Sequence, residues 1–380
     1  MHSDDDASGR PEKPLMRFEL LHVDGSTGAR RGRLHTPHGS IETPVFMPVG
    51  TAGSVKALAP DDLTALGTEI ILCNTYHFML RPGVKVLGEL RGLHRFISWD
   101  KALLTDSGGF QVYSLAKMRK ITEEGAHFRS HLDGSLHLLT PERSIEIQET
   151  LGADIIMAFD ECPPALCERA YMQASMARTT RWLHRCVKAW TPGRSALFGI
   201  VQGGVSEALR QRHAEEICAV DLPGYALGGF AVGETPEQLH AGVAFSTPLL
   251  PKNKPRYLMG VGTPRDLLTC ICAGVDMFDC VLPTRCARHG LLFTSEGKMA
   301  LKHARYARDE RPVDSTCRCY TCRTFSRAYL RHLYVSREIT GHRLTTLHNL
   351  HFFLEFMKNA RASIEMDSYA DFMKKYMHFI

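Results

Sequence analysis

Ala196-Leu197-Phe198-Gly199-Ile200-Val201-Gln202-Gly203-Gly204 runs through six nearly unbroken apolar residues and then stops on an amide and two glycines. Continuous apolarity, rather than alternation with polar residues, marks a strand buried on both faces. The same form recurs at Val45–Thr51, Glu69–Asn74, Ala102–Gly109, Asp154–Cys162, Tyr225–Glu234, Arg256–Thr263 and Met277–Arg285, making eight in all. Helix starts lie between several of them. Thr140-Pro141-Glu142, Thr235-Pro236-Glu237 and Thr263-Pro264-Arg265 each offer a Thr N-cap followed by Pro at the first helical position, and Pro60-Asp61-Asp62 puts carboxylates in a first turn. Strands alternating with helices imply a parallel sheet, and eight such units fit an α/β (β/α)8 TIM barrel. A doubly wound open sheet is the runner-up, but no Gly-rich dinucleotide fingerprint follows the first run. The long connection from Gly109 to Asp154 has room for a hairpin over Thr122–His137, with Asp133-Gly134 as its turn.

The 380 residues contain 44% hydrophobic and 23% charged side chains, an ordinary globular balance that excludes disorder and collagen-like repeats. No apolar run approaches the roughly 18 residues of a membrane span. Residues 1–14 carry Asp4, Asp5 and Asp6 and no apolar core, so they read as a polar tail rather than a signal peptide. A cytoplasmic location is expected, and with it reduced thiols. Residues 15–380 are expected to form a single barrel domain with a subdomain at about 286–350. The net charge of +5 is unevenly placed: Arg285–Thr345 holds 13 Lys+Arg and 5 Asp+Glu. That segment is therefore at +8 and the remainder at −3. Either a polyanionic partner or a solvated charged face accounts for it.

In a barrel, function collects at the carboxyl ends of the strands. Those ends carry Asp106, Asp160, Gln202, Gly228-Gly229, Met259 and Asp279. An uncompensated carboxylate at a buried strand end is costly; any one of these could be a helix N-cap, but three converging on one mouth point to a site. Asp279 suits a nucleophile that traps an oxocarbenium-like carbon, and Asp106 suits general acid/base work beside it. Asp160 can accept from the N1–H and N2–H edge of a guanine, while Gln202 and the Gly229 N–H can donate to its carbonyl.

Cys317-x-Cys319-x2-Cys322 places three thiolates where they can wrap one ion, with a histidine as fourth ligand. Soft sulfur ligands favour Zn2+, and a saturated Cys3His set makes the metal structural. His348 competes with His332, His342 and His351 for the fourth position. The other nine cysteines show no metal spacing and read as small buried apolar residues.

From about Met16 onward the chain resembles the bacterial tRNA-guanine transglycosylases. The resemblance is carried by Thr105-Asp106-Ser107-Gly108-Gly109-Phe110-Gln111, Phe159-Asp160-Glu161-Cys162, Gly199-Ile200-Val201-Gln202-Gly203-Gly204, Gly228-Gly229-Phe230-Ala231-Val232-Gly233-Glu234, Asp279-Cys280-Val281-Leu282-Pro283-Thr284-Arg285 and the cysteine triplet. It implies a (β/α)8 barrel with a C-terminal zinc-binding insertion, and base exchange at the wobble position (34) of tRNAs with GUN anticodons. Guanine leaves and the queuosine precursor preQ1 enters. It further implies that Asp279 is the nucleophile of a covalent tRNA intermediate and Asp106 the general acid/base. Asp160, Gln202 and Gly229 would hold the base edge, with Phe110 and Met259 on its faces. The Phe230 backbone would meet the aminomethyl group with Glu234 nearby, and Arg285 and Arg288 would read anticodon bases. His348 becomes the fourth zinc ligand, and a homodimer is expected. Phe110 stands where some members have Tyr, and Phe230 where Leu is common. Cys162, Val232 and Val281 favour preQ1 over the bulkier queuine. A queuine-inserting enzyme, a non-catalytic tRNA-binding subunit and a zinc hydrolase are the alternatives. Retention of Asp279 and Asp106 weighs against the second, and the saturated ligand set against the third.

Overall fold

A computed structural model describes residues 15–115 and 119–377; the expected N-terminal tail lies outside them. All eight apolar runs are strands: β1 (Val45–Met47), β2 (Ile70–Cys73), β3 (Ala102–Thr105), β4 (Ile155–Met157), β5 (Ala196–Val201), β6 (Gly224–Leu227), β7 (Arg256–Leu258) and β8 (Met277–Asp279). They form one parallel sheet in the order β1-β8-β7-β6-β5-β4-β3-β2. A parallel bridge between Val49 and Leu72, with Gly50 N–H donating to Leu72 O at 2.6 Å, brings the two edges together into a barrel.

The unbroken apolarity is explained by two cores. Leu72, Leu104, Met157, Phe198, Ile200 and Met277 fill the barrel interior. Their chain neighbours Ile71, Leu103, Ile156, Leu197, Val201 and Phe278 face outward against the helices. Alternation persists in direction while polarity does not alternate at all.

The Thr-Pro starts behave as read. Thr140, Thr235 and Thr263 accept from the backbone N–H of Arg143, Gln238 and Asp266, and Gln238 completes a capping box at Thr235. The Pro60 helix differs: its N-cap is Ala59, and Asp62 accepts from the Ala59 N–H at 3.2 Å instead. The inserted hairpin is larger than expected. Arg119–Ile121, Ala126–Arg129 and Leu136–Leu139 make a three-stranded antiparallel sheet. Asp133-Gly134 does form the second turn, with Gly134 at φ +77°.

The barrel floor is closed by a sheet that no run announced. Arg17–Val23, Arg30–Thr36 and Gly39–Thr43 pair antiparallel, and Met16, Leu34 and Ile41 insert into the interior core. Arg30 ties this sheet to the start of β8 through a bidentate pair with Asp276, at 3.1 and 2.7 Å. His38 does the same at the start of β4, 2.8 Å from Asp154, which also faces His94 at 3.5 Å. The two imidazoles stack at 3.6 Å with planes 19° apart. Ring nitrogens in near-parallel planes do not converge on one ion, so this group reads as a staple rather than a metal centre.

After β8 the chain turns through a helix, Leu282–Arg288, into a hairpin of Leu291–Thr294 and Gly297–Ala300. Helices Tyr320–Thr324 and Arg327–Val335 follow before the 27-residue helix Ile339–Glu365. A small separate core that includes Leu292, Val313, Leu330 and Leu344 holds this segment together. It stands between the last barrel strand and the helix that packs back against β1.

Candidate active site

The carboxyl ends of the strands surround a cavity of about 460 Å³, within the roughly 300–1,000 Å³ typical of small-ligand sites. Asp106, Phe110, Asp160, Gln202, Gly229, Phe230, Met259, Asp279 and Arg285 all line it. Glu234 and Arg288 are not among the lining residues. Glu234 turns back on its own loop, accepting from the N–H groups of Ala231 and Val232. Arg288 folds along its helix and donates to Thr284 O at 3.0 Å.

Asp279 ends β8. Its Oδ1 accepts from the Tyr257 hydroxyl at 2.6 Å and the Gly260 N–H at 2.7 Å, and no described residue donates to Oδ2. Asp106 follows β3 and is held from β2. Asn74 Nδ2 donates to Oδ2 at 2.5 Å, Thr75 N–H to Oδ1 at 2.9 Å and Gln111 Nε2 to Oδ2 at 2.8 Å. Asp160, beyond β4, accepts from Gln202 Nε2 at 2.7 Å and Ser107 Oγ at 3.3 Å. No Lys or Arg among the described residues makes an ion pair with any of the three. Burial raises the proton affinity of all three carboxyls. Asp106 is pushed up to about 6 by burial, with the Asp279 charge adding to it and its three hydrogen bonds opposing. Burial likewise pushes Asp160 up to about 6 and raises Asp279, against the Tyr257 and Gly260 bonds. Carboxylates without counter-cations form a negative field that favours positive charge developing on a bound sugar, and a group near 6 can take and return a proton at neutral pH.

Two glycines let the backbone approach Gln202 closely. A Cβ on Gly228 would lie 2.6 Å from Gln202 Nε2, and Gly229, at φ +70°, would drive one into Gln202 Oε1. The backbone therefore sits directly on the Gln202 amide. Phe110 is 45% exposed, and Met259, which lines the same cavity, is partly buried.

Asn74, Gln111 and Tyr257 are the residues the strand-end reading passed over. Asn74 closes a run already recognised, and Gln111 stands in a quoted motif, so both were within reach. Tyr257 lies inside its strand, and nothing local distinguishes it from a core aromatic.

Some distance along the chain, Cys317, Cys319, Cys322 and His348 offer ligand atoms within 4.8 Å of one another. His348 Nδ1 lies 3.8, 3.7 and 3.2 Å from the three sulfurs. A tetrahedral ion with ordinary Zn–S and Zn–N bonds spaces its ligands at about 3.6 Å. His348 is fully buried, and its Nε2 bonds Phe293 O at 2.7 Å, which turns Nδ1 toward the thiols. His351 reaches Cys317 alone, at 3.5 Å. The donor set fits a metal ion, with His348 as the fourth ligand atom.

The family model described as Queuine tRNA-ribosyltransferase matches residues 24–379. The chain belongs to this family. A queuine tRNA-ribosyltransferase of Lysinibacillus sphaericus is 54% identical over 365 residues, covering 96% of each chain. One of Bacillus subtilis is 54% identical over 366 residues, again 96% of each. One of Listeria monocytogenes is 53% identical over 362 residues, 95% of this chain and 96% of its own. This is the tRNA-guanine transglycosylase family that the strand-end motifs resembled, and the fold is the barrel they implied. The family is one of pentosyltransferase enzymes. No described helix is long and apolar enough to cross a membrane.

Proposed function

We propose that the protein exchanges guanine at position 34 of GUN-anticodon tRNAs (Asp, Asn, His, Tyr) for preQ1 through a covalent aspartyl-ribosyl intermediate. The observation that carries this reading is the set of three buried carboxylates at one cavity, none paired with a described Lys or Arg, with Asp106 and Asp279 close enough to interact and Asp160 bonded to Gln202. Asp279 Oδ2 attacks C1′ of the ribose; the C1′–N9 bond breaks and its electron pair leaves with guanine, which takes its proton from protonated Asp106. Asp106 then accepts the N9 proton of the incoming base, whose nitrogen attacks C1′ and releases the Asp279 carboxylate. Tyr257 and the Gly260 N–H hold Asp279 so that its free oxygen meets the anomeric carbon.

Asp160 accepts from the N1–H and N2–H edge, Gln202 and Gly229 donate to the carbonyl, and Phe110 and Met259 cover the faces of a base drawn out of its stack. The Phe230 backbone and Glu234 belong to the aminomethyl side. Arg285 and Arg288 lie on the helix that leaves the site and suit the flanking anticodon phosphates and bases. Cys317, Cys319, Cys322 and His348 hold one structural Zn2+ per subunit. Cytoplasmic location and a homodimer belong to the same reading, as does the barrel as one domain from residue 15 with its zinc subdomain at about 286–350.

Incubation with unmodified tRNA and labelled guanine tests it: label enters the RNA if the reading holds, and its absence from an intact, folded enzyme overturns it. Competition by preQ1, preQ0 and queuine then separates a preQ1 enzyme from a queuine enzyme. Cys162, Val232 and Val281, which all line the cavity, favour preQ1. Cys319→Ser is expected to cost the bound zinc, read as metal content by mass spectrometry.

A further inference from the structure

We propose that Arg210 is a positioning residue for base recognition: it holds and polarises the Gly228–Gly229 peptide so that its N–H faces the base carbonyl. The inference rests on the base-exchange reading and adds a residue to it.

Arg210 stands in the first turn of the helix Glu207–Cys218 and is only 1% exposed. A buried cation ordinarily has an anion beside it. Arg210 makes no ion pair with any described residue. Its guanidinium serves backbone carbonyls instead. Nε donates to Gly204 O at 2.8 Å, and Nη1 to Gly228 O at 2.8 Å and Val201 O at 3.2 Å. Nη2 points to Gly229 O at 3.5 Å. Its Cζ lies over the Phe230 ring, 3.8 Å from the ring centre. One side chain thus joins the ends of β5 and β6, the two strands between which Gln202 and Gly229 sit.

Peptide geometry supplies the direction. In a trans peptide the C=O and N–H point opposite ways. Gly228 O and Gly229 N–H belong to the same peptide, so pinning the oxygen onto Arg210 aims the N–H away from the guanidinium. On that side the Gly229 N–H approaches the thiol of Cys162, which lines the cavity. A full positive charge on the carbonyl end also makes the N–H a stronger donor. Burial lowers the Arg210 proton affinity to about 9, which still leaves it charged at neutral pH. A neutral residue able to cap a carbonyl would tie the strands together but would not polarise the donor.

The test compares the parent enzyme with Arg210→Met and Arg210→Lys. It measures KM for guanine and for tRNA, and inhibition by 6-thioguanine, which keeps the N1–H and N2–H edge but replaces the carbonyl oxygen with a weaker acceptor. Arg210→Met is expected to raise KM for guanine by about tenfold or more and KM for tRNA by less, because the extruded guanine meets the same N–H while the rest of the tRNA is held outside the cavity. The preference for guanine over 6-thioguanine should fall toward one, and Arg210→Lys should recover part of it. Equal weakening of both bases, or no change, would overturn the proposal. If Arg210→Met does not fold, Arg210→Lys carries the same comparison, because it keeps the charge and reaches fewer carbonyls. Failure of the parent itself to incorporate guanine would count against the base-exchange reading, a separate result.

Discussion

The two ends of the barrel handle buried aspartates in opposite ways. At the floor, Asp276 meets Arg30 through two oxygens and also accepts from the Arg256 N–H at 2.8 Å, and Asp154 lies between His38 and His94 and accepts from Leu103 N–H at 2.9 Å. At the mouth, the donors to Asp106, Asp160 and Asp279 among the described residues are all neutral. The floor aspartates tie the plug sheet to the barrel, and their cost is offset locally. The mouth aspartates are left with a cost, which is the signature of groups kept for chemistry rather than for folding. Compensation is not complete even at the floor: burial still raises the Asp276 carboxyl despite Arg30. Asp154 is lowered, since its bonds from His94, His38 and Leu103 outweigh the effect of burial.

The contrast breaks most sharply at Asp279. Asp279→Asn is expected to cut base exchange by at least about 10⁴-fold and to abolish the covalent tRNA adduct on a denaturing gel, with melting unchanged or raised. Turnover near the parent rate would remove Asp279 from its role. At the other end, Asp276→Ala strands Arg30 as a buried unpaired cation. A loss of about 3–5 kcal/mol in denaturant unfolding is expected, with kcat of the folded fraction intact; an equal loss of kcat would mean the two ends are not separable.

Acidity comes next in size. Asp106, near 6 in the folded enzyme, must be ionised to accept the proton of the incoming base, so kcat/KM for that base should fall at least about tenfold per pH unit below about 6, with Asp160 losing its charge over the same range. A profile flat to about pH 5 would assign the proton transfer elsewhere. The smallest effect carries the sharpest sign. Asp160 is raised in the folded state, so its ionisation opposes folding above about pH 6, and that penalty vanishes as pH falls to about 4. Asp160→Asn should therefore be more stable than the parent at neutral pH by about 1–3 kcal/mol, with the gain gone in acid. Asp154 is lowered, so its contribution is present at neutral pH and is lost as pH falls below the unfolded value. Asp154→Asn should accordingly be less stable at neutral pH and converge with the parent in acid. Melting curves of the two variants across pH should slope in opposite directions; parallel slopes would erase the distinction between mouth and floor.

Much of this was legible in the chain. Eight apolar runs became eight strands because burial on both faces leaves a local, continuous imprint that needs no knowledge of the partner strand. The plug sheet was not legible. Arg17–Val23 and Arg30–Thr36 are rich in charge and place few apolar residues inward, among them Leu34, so their pattern is that of an exposed edge. Arg210 was hidden for a related reason: Glu207–Cys218 is dense with charge and reads as a surface helix, and only the packing of its first turn under β5 and β6 buries that guanidinium.

By itself, then, the sequence determined the number and order of the strands, which strand ends carry carboxylates, and where three cysteines gather, since each of these is written in adjacent residues. The tertiary structure alone decided which carboxylates lack a cation among the described residues and which oxygen of Asp279 no described residue engages, and it set His348, which the family resemblance had named, against the thiols. Those outcomes depend on partners such as Tyr257 for Asp279 and Asn74 for Asp106, which stand 22 and 32 residues away in the chain and become neighbours only when the barrel closes.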